Sequence, residues 1–104
     1  METHNYSFEG EVWLWNNGKD VASWHFVTIP KDLSIDLGDM YSEAKKGFGS
    51  LKVQATVGST TWQTSIFPQK EERTYILPIK KSVRVAENIE VNSRVAVDLG
   101  ILID

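Results

Sequence analysis

Tyr6, Phe8, Gly10, Val12 and Leu14 fall on one side of a period-two alternation, with Ser7, Glu9, Glu11 and Trp13 on the other. That pattern predicts a strand buried on one face. Asn16-Asn17-Gly18-Lys19-Asp20 is a turn cluster, because Asn and Gly accept positive φ at little cost, and it predicts a hairpin into a second strand over Val21 to Ile29. Pro30 cannot donate to a ladder and ends that strand. Leu33, Leu37, Met40 and Tyr41 then recur at helical spacing, with Asp32 near the start, which predicts a helix from about Lys31 to Ser42. Gly47 and Gly49 release the chain into Leu51, Val53, Ala55 and Val57, the cleanest alternation of all. Gly58-Ser59 turns into a threonine-rich strand over Thr60 to Phe67, and a charged loop over Gln69 to Arg73 leads to the strand Thr74 to Leu77 and its closing Pro78. Between Ile79 and Asn92 two periods compete. Val83 and Val85 alternate like a strand, whereas Ile79, Val83 and Ala86 have helical spacing, and the parallel with the first half favours a short helix. Asn92-Ser93 then turns into a last strand over Arg94 to Ile101.

The order is strand, strand, helix, strand, given twice. An apolar run closed by proline, a polar link and a new alternation occur as Trp24 to Pro30 with Leu51 to Val57, and again as Thr74 to Pro78 with Arg94 to Leu99. One half alone could not bury its apolar face, so the two are expected to close a common core. The expected fold is mainly β with two short helices: a small closed or partly split barrel whose helices plug its openings.

A chain of 104 residues supplies one domain. It has no cysteine, which excludes disulfides, thiolate nucleophiles and cysteine metal sites. The N-terminus, Met1 to Tyr6, lacks the basic and apolar parts of a signal peptide, and no apolar run reaches membrane-spanning length, so a cytoplasmic protein with no membrane partner is expected. The net charge of −3 argues against non-specific binding to nucleic acid, yet it hides an asymmetry. Residues 44–84 carry eight basic and two acidic side chains, a balance of +6 that leaves −9 elsewhere.

Gly47-Phe48-Gly49-Ser50, Thr61-Trp62-Gln63-Thr64-Ser65-Ile66-Phe67-Pro68, Tyr75-Ile76-Leu77-Pro78 and Val83-Arg84 together resemble a bacterial and archaeal family catalogued as domain of unknown function 1905. The resemblance spans Phe8 to Leu99, and Asn92-Ser93 stands where the family pattern has a Gly-Asp turn. It implies a double-split β-barrel in which one chain supplies two strand-strand-helix-strand halves. That architecture is similar to the one built by two short chains in AbrB-like and MazE-like transcription factors and antitoxins. No activity comes with it.

Candidate chemistry is sparse. His4 and His25 lack the spacing of a zinc site, and no cofactor or metal is expected. Ser65 has no nucleophile-elbow glycines around it, and Gly47-x-Gly49 is too short for a phosphate loop. Glu9 and Glu11 share a strand face, where solvated charge is the commoner role. Trp62 shares its face with Ile66 and belongs inside. Trp13 and Trp15 lie opposite Val12 and Leu14, so they either face outward into a groove or fill the core from the second side of a curved barrel. Lys45, Lys46, Lys52, Lys80, Lys81 and Arg84 are the remaining candidates, since lysines begin or end both helical links and suit an anion, a nucleic-acid backbone or an acidic partner. The leading expectation is a non-enzymatic module that binds a protein or a small anionic ligand through Trp13, Trp15 and these cations, with a monomer compatible and oligomeric state open. The alternatives are an AbrB-like or MazE-like nucleic-acid-binding regulator, disfavoured by the net acidity, and an enzyme with a small-molecule pocket in the barrel.

Overall fold

The computed structural model describes residues 5–15 and 24–103. The expected turn at Asn16 to Asp20, the start of the second strand at Val21 to Ser23, and His4 lie outside them. Among these residues the order is β1 (Asn5–Trp15), β2 (Trp24–Thr28), α1 (Lys31–Met40), β3 (Leu51–Val57), β4 (Thr60–Gln69), β5 (Thr74–Pro78), α2 (Lys81–Glu87) and β6 (Arg94–Ile101). Short 3-10 turns at Ser42–Ala44 and Gly47–Gly49 join α1 to β3. The six strands close into an antiparallel barrel in the order β1-β2-β5-β4-β3-β6.

Closure depends on the two long strands, each of which changes partner along its length. β1 pairs with β6 from Asn5 to Glu11 and with β2 from Val12 to Trp15. β4 pairs with β3 from Thr60 to Ile66 and with β5 from Phe67 to Gln69. The hand-over in β1 follows Gly10, where a Cβ would stand 2.8 Å from Val27 Cγ1, so glycine permits the close crossing of β2. The Asn92-Ser93 turn secures the same point: Val12 N–H donates to Ser93 O at 2.8 Å and Asn92 N–H to Val12 O at 2.7 Å.

Exchanging β1, β2 and β3 for β4, β5 and β6 leaves the ring order unchanged. The hydrogen bonds obey the same exchange. Ile29 N–H donates to Tyr75 O at 2.8 Å, and Ile79 N–H to His25 O at 2.9 Å. Ser34 Oγ then donates to Ile29 O at 3.0 Å, and Arg84 Nε to Ile79 O at 3.1 Å. The structural register therefore matches Ile29 with Ile79, not Pro30 with Pro78 as the sequence pattern implied. Pro30 follows its strand, whereas Pro78 is the last residue of β5, opposite Phe26; strand ends tolerate the missing N–H.

Inward-facing Val12, Val27, Leu51, Leu77, Leu99 and Ile101 fill the barrel, and α1 and α2 add Leu37 and Val83 to the same core. Trp62, at 7% exposure, joins them as expected. α1 stops at Met40, two residues short of the expected end, because Tyr41 leaves helical geometry at φ −111° and its hydroxyl meets Tyr6 Oη at 2.8 Å. The ambiguous second link is helical, and Asn88 ends it in a left-handed conformation that Asn tolerates. Leu14, expected on the core side, is 44% exposed, because it lies beyond the last buried position of β1, Val12.

Candidate functional site

Directly opposed residues of antiparallel strands share a face, and that rule assembles an aromatic part of the surface. Trp13 lies opposite Phe26 and Trp15 opposite Trp24. On the far side of β2, Thr28 lies opposite Ile76, which in turn faces Phe67. Since Val12, Val27, Leu77 and Ile66 point inward, all of these point outward. Phe26 stacks on Trp24 with ring centroids 6.0 Å apart and planes 8° from parallel, and Trp13 tilts onto Phe26 at 5.1 Å. Trp13 Nε1 donates to Thr28 Oγ1 at 2.9 Å, which satisfies its polar edge and fixes the ring. The result is a groove of about 370 Å³ lined by Trp15, Trp24, Phe26 and Phe67, with Gln69 as its one polar lining residue among the described residues. Trp13 and Trp15 thus line an outer groove, and neither belongs to the barrel core.

The basic candidates are divided among separate depressions. Lys80, Lys81 and Arg84 line one of about 410 Å³ together with Trp24, His25, Gln63 and Thr64. Lys52 lines its neighbour with Ser65, Trp24 and Phe67. Lys45 sits with Lys70, Arg73 and Asp39 beside α1, and Lys46 with Glu43 and Leu102. Trp24, 52% exposed, is common to the groove and to both basic depressions that adjoin it.

Arg84 also has a structural role. Its Nε caps Ile79 O, and its Nη1 lies 3.5 Å from His25 Nε2. Burial lowers the pKa of His25 from its ordinary value, and the Arg84 charge lowers it further. His25 is half-buried, and its Nδ1 is a buried atom without a hydrogen-bond partner. Elsewhere the polar candidates serve their neighbours. The Thr56 and Thr61 hydroxyls meet at 2.8 Å, Thr60 Oγ1 donates to Glu87 at 2.6 Å, and Glu9 pairs with Arg94 at 3.1 Å in solvent. Gly47–Gly49 forms a tight turn that holds Phe48 at φ 61° with 94% of its surface exposed. Among the described residues no group of three His, Asp or Glu is placed to hold a metal, and no helix is long and apolar enough to cross a membrane.

Sequence reasoning offered Trp13 and Trp15, with the core as the alternative, but not Trp24, Phe26 or Phe67. For Phe67 the signal was present, since Ile66 faces inward and its neighbour must face out. For Trp24 and Phe26 it was weak, because apolar residues occupy both faces of β2.

No curated protein matches the chain. The family model described as Domain of unknown function (DUF1905) matches it over residues 8–99, and the chain belongs to that family.

Proposed function

We propose that this chain is a non-enzymatic binding module, and that the aromatic groove between the β1-β2 hairpin and Phe67 is its contact surface. The observation that carries this reading is a cluster of large rings on an outer sheet face, with Trp15, Trp24 and Phe67 each exposed by 41% or more. Single exposed apolar residues are common on soluble domains, but a contiguous patch with a concave centre marks a site of interaction. The ring edges are already positioned by stacking and by the Trp13–Thr28 bond, so a ligand would meet a preformed wall. The contact surface extends from Trp13 and Trp15 to Lys52, Lys80, Lys81 and Arg84 by way of Trp24, whereas Lys45 and Lys46 lie in other depressions.

The division of the cations is also what weighs against the alternative of an AbrB-like regulator, since a duplex needs a continuous basic track along its phosphates. A cytoplasmic monomer is the setting this reading assumes.

A thermal-shift screen of metabolites, nucleotides and peptides against the wild type and a Trp15→Ser/Trp24→Ser variant tests the proposal. Compounds that raise the wild-type melting temperature are expected to lose that effect in the variant. Compounds that stabilise both proteins alike would place the binding site elsewhere.

A further inference from the structure

We propose that the groove and the basic depression beside it hold one small ligand made of a planar aromatic ring joined to a phosphate, a nucleoside monophosphate being its simplest form. This rests on the groove being a binding surface, and adds the chemistry of what it binds. Trp24 is the link, because its half-exposed side chain borders both the aromatic groove and the depression containing Lys80 and Lys81. A ring set against Trp24 or Phe67 therefore has cations within the span of one neighbouring depression.

Charge makes the inference specific. Among the described residues no acidic side chain lines the groove or either basic depression bordered by Trp24. The depressions remote from Trp24 do include Glu43 and Asp39. Among the described residues Lys80 and Lys81 form no ion pair, so their ammonium groups are available, while Arg84 is held by Ile79 O and His25. Gln63 and Thr64, which line both basic depressions together with Trp24, supply hydrogen-bonding groups of the kind that orient a ribose or a base edge. Stacking on aromatic faces tolerates any base, and lysine binds phosphate as a point charge. The two volumes, about 370 and 410 Å³, lie in the range of small-molecule sites.

Calorimetric titration of the full chain with adenosine monophosphate, adenosine and inorganic phosphate separates the parts of this claim. The monophosphate is expected to bind with a Kd below about 1 mM, and adenosine or phosphate alone roughly tenfold more weakly. Lys80→Gln/Lys81→Gln should weaken the monophosphate by about tenfold and leave adenosine unchanged, and Trp24→Leu should weaken both. Matching melting curves would show that the variants fold. Absence of monophosphate binding, or binding indifferent to both sets of substitutions, overturns the proposal. If uncharged aromatic compounds still bind and lose affinity on Trp15→Ser, the groove stands as a site and only the phosphate is refuted. A short oligothymidylate that binds at least tenfold tighter than the monophosphate, with a steep salt dependence, would also overturn it in favour of single-stranded nucleic acid.

Discussion

Trp62, Ser34 and His25 show how single side chains hold this barrel together, and how unequally the sequence reveals them. Trp62 was legible, because its alternation with Ile66 puts it inside, and the structure buries all but 7% of it. Trp62→Ala should lower stability by about 3 to 5 kcal/mol through the cavity left in a small core. Denaturant melts giving a loss below about 1 kcal/mol would assign the ring to the surface instead. Ser34 was invisible in the sequence, since a serine inside a helix has no periodic signature. Its hydroxyl donates to Ile29 O and accepts Tyr75 N–H at 2.9 Å, which ties α1 to β5. Ser34→Ala should cost about 1 to 3 kcal/mol by leaving a buried N–H unpaired, and an unchanged melting curve would contradict that role. His25, whose pKa lies below its ordinary 6.5, favours folding in its neutral form. Its contribution is therefore full above about pH 6.5 and is lost as pH falls below that value, where the unfolded chain takes up the proton first. Replacing it by Gln should flatten the decline in stability between pH 7 and 5. An unaltered slope would move that decline to the carboxylates.

At the level of elements, alternation and helical spacing located the described strands and the first helix, because each one-sided face must be buried against the others. The second helix is favoured over a strand only by the parallel between the halves. What alternation could not show was partnership. The hand-over of β1 from β6 to β2, and of β4 from β3 to β5, depends on contacts between residues far apart in the chain. Nor could it fix the register between halves, where matching prolines suggested one alignment and the paired Ile29 and Ile79 hydrogen bonds establish another. Gly10 is where sequence and topology meet. Gly10→Ala would press a methyl group against Val27 Cγ1, and we expect a loss of about 1 to 3 kcal/mol from the forced separation of β1 and β2. A stability within about 0.5 kcal/mol of wild type would show that the crossing is looser than its geometry implies.

On the scale of the whole molecule, a charge count by sequence position suggested one basic segment, and folding distributes it. Lys45 and Lys46 go to depressions that also hold acidic residues, while Lys80 and Lys81 come to lie beside Trp24. The groove itself was half legible. The parity of β1 put Trp13 and Trp15 opposite Val12 and Leu14 but left both an outer groove and the core open to them. A strand pattern does not say which other strands will lie next to it, so Phe67 could not be joined to them. The central claim is that this outer aromatic face, with the basic depressions it adjoins through Trp24, is where we propose that the protein binds. The indole N–H resonances of Trp13, Trp15, Trp24 and Trp62 report on it directly. In a proton–nitrogen correlation spectrum titrated with any ligand that stabilises the fold, Trp15 and Trp24 should show the largest changes, with backbone shifts confined to β1, β2, β4 and the adjoining Lys52 and Lys80 to Arg84. Changes centred on Met40 to Ala44 or on Phe48, with those two indole signals unmoved, would contradict it.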